Sequence, residues 1–173
     1  MRYLVILTFF WIHQQSLALD YKAIFNGKNF SGWEVLHGQA DYRVENKEIV
    51  GTSKFGTPNT FLATKKSYRN FVLEFEVKLA EGLNSGVQIR TMTDEDYKEG
   101  RPFGTQIEIE DSGRGWAGGI FDEARKGWRY PLEYNPKAKQ AFKKGDWNSY
   151  KVLAYENRII TWVNGIQCAN LIE

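Results

Sequence analysis

The alternation of apolar and polar residues predicts short β-strands along most of the chain. Phe71, Leu73, Phe75, Val77 and Leu79 alternate with Glu74, Glu76 and Lys78, the period of a half-buried strand. Shorter stretches read the same way at Trp33–Leu36, Tyr42–Val44, Glu48–Val50, Phe61–Thr64 and Val87–Thr91. Trp147–Tyr155 and Arg158–Val163 form a hairpin-like pair around Glu156-Asn157. Asn164-Gly165 is a strong tight-turn signal leading into Ile166–Leu171. Thr93 to Gly104 reads as an exposed polar loop, and a short helix is expected near Lys137–Phe142. No three-turn helix is predicted. Many short strands at close spacing imply an all-β chain, an antiparallel two-sheet sandwich or jelly roll.

One strand stands out. In Gln106-Ile107-Glu108-Ile109-Glu110 the isoleucines share one face and Gln106, Glu108 and Glu110 the other. Residues two apart on a strand lie roughly 6.5–7 Å apart, so two acids and an amide sit side by side. Val87-Gln88-Ile89-Arg90 repeats the pattern, with Gln88 and Arg90 on the polar face. Two such strands suggest a sheet that lines a polar cleft. The competing reading is a pair of solvated outer faces. Glycines flank both strands and tryptophans lie just downstream, which favours a site.

Composition narrows the classes. The chain has 173 residues and a formal net charge of +2, with both signs mixed along it. That balance carries no nucleic-acid signature. Arg2, the apolar run Tyr3–Ile12 and the small-x-small triplet Ser16-Leu17-Ala18 resemble an export signal cleaved after Ala18. The run is too short for a membrane span of about 20 residues, and no later stretch qualifies. The expectation is an exported protein, periplasmic or extracellular, with residues 1–18 as signal and 19–173 as one domain. Cys168 is the only cysteine, so no internal disulfide forms, and a buried apolar role is expected. Aromatics make up 15% of the chain. Rings stack on sugar C–H faces, although β-protein cores also use them.

Several segments, taken in order, resemble a known family. Phe25-Asn26-Gly27-Lys28-Asn29-Phe30-Ser31-Gly32-Trp33 resembles its opening F-N-G-x-x-L-x-G-W. Asn84-Ser85-Gly86-Val87-Gln88-Ile89-Arg90 resembles its N-S-G-[VI]-x-x-R strand, and Gly104-Thr105-Gln106 with Glu108-Ile109-Glu110 its G-x-Q-x-E-I-E strand. Gly119 to Ala124 with Gly127-Trp128, Gly145-Asp146-Trp147-Asn148 and Thr161-Trp162-Val163-Asn164-Gly165 resemble the segments that follow. The family is the 3-keto-disaccharide hydrolase domain. The resemblance implies a concanavalin-A-like jelly roll. Many members carry a further C-terminal strand pair that is absent here, so the expected domain is C-terminally short and lacks its last strands.

The resemblance also implies a carbohydrate substrate oxidised at C3. A ketone there acidifies the C2 proton. A carboxylate removes it, the C1 oxygen leaves by β-elimination, and water adds back. Glu108 or Glu110 is the expected base and Arg90 the expected cation at the enolate oxygen. Gln88, Gln106, Asp122 and Glu123 are expected to bind substrate, although only one of the last two can share a given strand face. Trp116 and Trp128 are the candidate sugar platform. Trp33, Trp147 and Trp162 are expected in the core, and His37 at the surface or in a strand. No cofactor is evident. Clustered acids leave a divalent cation as an option, without a His–acid spacing that demands a metal. Two other readings stand beside this one. An ordinary glucanase on the same fold needs a carboxylate nucleophile where Gln106 stands. A non-catalytic lectin-like module would use the same cleft to hold glycan.

Overall fold

The computed structural model describes residues 20–173, so the expected export signal and its cleavage site lie outside the described residues. The chain runs through β1 (Trp33–Leu36), β2 (Asp41–Glu45), β3 (Glu48–Thr52), β4 (Phe61–Thr64), β5 (Phe71–Val77) and β6 (Asn84–Gln88). It continues through β7 (Gly104–Glu110), β8 (Ile120–Glu123), β9 (Gly127–Tyr130), the one-turn helix α1 (Pro136–Lys139), β10 (Asn148–Tyr155), β11 (Arg158–Val163) and β12 (Ile166–Ile172). Two four-stranded antiparallel sheets, ordered β12-β11-β10-β5 and β6-β7-β8-β9, form a sandwich. Two ribbons, β1-β4 and β2-β3, precede it.

The core lies between the four-stranded sheets. Ile107, Ile109 and Ile120 from one inner face meet Tyr150, Val152, Ala154, Ile159 and Val163 from the other, all buried. Phe71, Leu73, Phe75 and Val77 pack against this cluster, as their alternation requires. The Phe75 and Tyr150 rings stack at 5.0 Å. Two hydroxyls tie the sheets together. Thr161 Oγ1 donates to Gly118 O at 2.6 Å, and the Tyr150 phenol donates to Glu108 O at 3.3 Å. The second bond anchors β7 at the residue whose carboxylate faces outward.

Turn chemistry explains the connections. Asn164 and Gly165 take φ of 48° and 78° between β11 and β12, the left-handed pair of a tight hairpin. Asn46 and Lys47 do the same between β2 and β3. Asn135 caps α1 by accepting from the Ala138 amide at 3.2 Å, with Pro136 at the first helical position. Cys168 is buried, as expected, and burial pushes its thiol up to about 11. No helix among the described residues is long and apolar enough to cross a membrane.

Three expectations need correction. The strand expected at Val87–Thr91 lies at Asn84–Gln88. Glycine at position 86 misled the pattern: it pairs opposite Glu108, and a Cβ there would lie 2.4 Å from the Gln106 amide carbon. Secondly, Trp33 and Trp162 are only half-buried and Trp147 is exposed, so none of the three is a core residue. The ribbons supply no buried residue, and Trp162 points to the outer side of its sheet. Lastly, α1 starts and ends earlier than Lys137–Phe142.

Candidate active site

Strand parity builds the site. Register pairs Gln88 with Gln106, Gly86 with Glu108 and Asn84 with Glu110. On the other side of β7, Gln106 pairs with Phe121 and Gly104 with Glu123, and Phe121 pairs with Trp128 on β9. These residues share the outer face of the β6–β9 sheet. They line a cleft of about 170 Å³ whose walls include Asn84, Gln106, Glu108, Phe121, Glu123 and Trp128, with Arg114 above. That volume is below the 300–1,000 Å³ of typical ligand pockets.

The two acids are not solvated. Glu108 is 4% exposed and Glu110 3%. Glu108 accepts from Asn84 Nδ2 at 2.6 Å and from Gln106 Nε2 at 3.3 Å. Arg114 stands 3.6 Å from it. Glu110 is more fully engaged. It accepts from Arg114 at 2.7 and 3.3 Å, from the Trp116 amide at 2.6 Å and from Ser112 Oγ at 2.8 Å.

Their environments drive the two carboxyls apart. Burial lifts the Glu108 carboxyl above the usual carboxylate range. The charge of Glu110 adds to this, and Asn84, Gln106 and Arg114 oppose it. Burial acts upward on Glu110 as well. There the bonds from Arg114, the Trp116 amide and Ser112 outweigh it and hold that carboxyl below the usual range. Glu110 is therefore a fixed anion, and Glu108 is the acid of the pair whose protonated form burial favours, the one suited to take and return a proton.

Arg114 is one of two site residues that the sequence reading missed. It sits in the turn Ser112-Gly113-Arg114-Gly115 after β7. Its guanidinium lies 4.7 Å from the Trp116 ring centroid and 4.8 Å from that of Trp128. The two indoles meet edge-on at 4.7 Å, and Trp128 also meets Phe121 at 5.2 Å. A basic residue four positions after Glu110, flanked by glycines and followed by tryptophan, was the available signal. Asn84 was overlooked for another reason: the expected strand began after it.

The remaining candidates divide. Gln106 and Glu123 face the cleft, and Glu123 pairs with Arg101. Gln88 lies on the same face, with both amide atoms buried and without a protein partner. Asp122 points the opposite way, wholly buried, with Arg125 at 2.8 Å and Arg129 at 3.9 Å, so it is not a cleft residue. Arg90 is not one either. Its φ of 52° ends the alternation, and its guanidinium donates to Arg69 O at 2.9 Å and Glu156 O at 2.6 Å. The cation beside the acids is Arg114. His37 lies in the bend after β1, its ring 3.0 Å from Asn59 O. Among the described residues no three His, Cys, Asp or Glu side chains gather as metal ligands.

Comparison with known proteins agrees with the fold. The family model described as 3-keto-alpha-glucoside-1,2-lyase-like domain matches residues 20–173. A crystal structure of a "putative glycosyl hydrolase" from Parabacteroides distasonis superposes with a TM-score of 0.60 at 26% identity, covering 86% of this chain and 70% of that one. A second such protein from the same organism covers 63% of this chain and 54% of its own, at 25% identity and a TM-score of 0.44, too distant to carry an argument. No curated protein matches the chain.

Proposed function

The chain belongs to the 3-keto-alpha-glucoside-1,2-lyase-like domain family, and from that premise we propose that it is an exported hydrolase of 3-keto-glycosides with Glu108 as its proton carrier. The observation that carries this reading is the split between the two acids. Glu108 is buried with its carboxyl raised, beside Glu110, which Arg114 keeps ionised.

The proposed steps use one base. Glu108 removes the C2 proton, and the electrons delocalise onto the C3 oxygen as an enolate. Arg114 stabilises that oxygen as charge develops. The enolate collapses with cleavage of the C1–O bond, and Glu108 passes its proton to the leaving oxygen. Water then adds to C1 of the enone and yields a proton to Glu108, which returns it to C2. The net change is hydrolysis, with the carboxylate restored. Asn84 and Gln106 hold Glu108 in place, and the Trp128 edge bounds the ring. The glucanase reading is disfavoured because Gln106 cannot act as a nucleophile.

The test is turnover of a 3-keto-glucoside in deuterium oxide. Deuterium at C2 of the released sugar is the expected mark of elimination and hydration. Glu108→Gln should lower kcat by at least about 100-fold. Cleavage with no label at C2 would reject the route, and binding without turnover would make the protein a lectin-like module.

A further inference from the structure

A groove larger than the cleft lies on the opposite sheet. It is open, about 840 Å³, and runs over Glu74, Glu76, Ser149, Lys151, Trp162 and Gly165. None of these residues belongs to the site above. Register sets Glu74, Lys151, Trp162 and Gln167 in one row across β5, β10, β11 and β12. Three strand spacings make that row about 14 Å long. Lys151 Nζ lies 3.2 Å from Glu74 and 6.0 Å from the Trp162 ring centroid. The Tyr21 phenol donates to Glu74 at 2.8 Å.

We infer that this face is an accessory binding site for a neutral polysaccharide chain. It rests on the carbohydrate-acting character of the domain, not on the reaction steps proposed above. The groove is an open trough, which admits a chain lying across it. A half-buried indole offers an apolar ring for sugar C–H faces. Carboxylate, ammonium and hydroxyl groups flank it and bond to sugar hydroxyls. Charge selects further. Lys151 is matched by Glu74, and Glu76 leaves the lining net negative. Uronates, sulfated glycans and nucleic acids are therefore repelled. A protein partner fits poorly, because the centres of protein interfaces are depleted of charged residues.

Affinity electrophoresis tests this. The full chain is run through gels that contain soluble starch, mixed-linkage β-glucan or arabinoxylan. Retardation by at least one of them is expected. Trp162→Ala should weaken it about tenfold, the scale of one aromatic contact. Lys151→Ala should weaken it less, and Glu108→Gln not at all. Trp162→Phe keeps a ring and should restore most of the binding, which guards against a folding artefact. Trp162→Ala should leave turnover of a small 3-keto-glucoside unchanged. No retardation in any gel would overturn the site, as would retardation indifferent to Trp162; a second copy of the chain seated in the groove would give the first result. Retardation without any turnover would uphold this site while removing the hydrolase reading.

Discussion

Two ion pairs on the outer faces of the two sheets each set a basic side chain against a glutamate, in different surroundings. Lys151 and Glu74 pair at 3.2 Å with side chains 42% and 46% exposed. Arg114 and Glu110 pair at 2.7 Å, with Glu110 only 3% exposed. The first pair sits in water, where the Tyr21 and Lys151 hydrogen bonds lower the Glu74 carboxyl and the bond to Glu74 raises the Lys151 ammonium. The second keeps Glu110 charged inside the protein, beside a third carboxyl that burial pushes the other way. Contact distance does not separate the two faces. Exclusion of water does, with Ser112, Arg114 and the Trp116 amide of the turn after β7 enclosing Glu110. A chemically useful division between two acids follows on that face alone.

The comparison can be broken from the Arg114 side first, where the largest effect is expected. Arg114→Ala should cost about 100- to 1,000-fold in kcat on a 3-keto-glycoside, the scale of losing an oxyanion partner. Arg114→Lys should recover little, because a point charge cannot replace a planar fork that packs against two indoles. Full activity in Arg114→Ala would remove it from the enolate role.

Next come the matched acids. Glu110→Gln removes the charge that faces Arg114 and turns an amide donor toward the guanidinium or the Trp116 amide, so it should destabilise the fold by about 1–3 kcal/mol, a fall of a few degrees in Tm. Glu74→Gln should leave Tm unchanged within error. Equal shifts in the two variants would mean that burial does not distinguish the pairs.

The smallest effect is in pH dependence. Glu108 is raised by burial, so the folded protein keeps its proton at pH values where the unfolded chain has released it. Its contribution to stability is full below the unfolded carboxyl range and is lost as pH rises through the folded one. Glu110 is lowered, so its contribution is present above the unfolded range and is lost as pH falls through the folded one. Denaturation profiles should show wild type losing stability relative to Glu108→Gln as pH rises above about 4.3. Relative to Glu110→Gln, wild type should lose it as pH falls below that value. Parallel profiles for all three proteins would contradict the split.

Much of this was legible in the chain. Period-two alternation made β5 and β7 readable, and Asn164-Gly165 marked its turn, because such signals depend only on neighbours a few residues apart. Glu108 and Glu110 had to share a face for the same reason, and only one of Asp122 and Glu123 could join them. Choosing Glu123 required the β7–β8 register. Arg90 failed because one left-handed residue ends the alternation that placed it. Arg114 lay in a turn, where no periodicity reports direction.

Local alternation and turn chemistry by themselves determined an all-β chain with two neighbouring acids on one strand face. Only the tertiary structure decided that those acids are buried, which of them burial favours in its protonated form, and that their cation comes from Arg114. Protonation is set by desolvation and by the donors that Asn84 and the Ser112–Trp116 turn aim at the two carboxylates, and neither is encoded in the spacing of the residues that titrate.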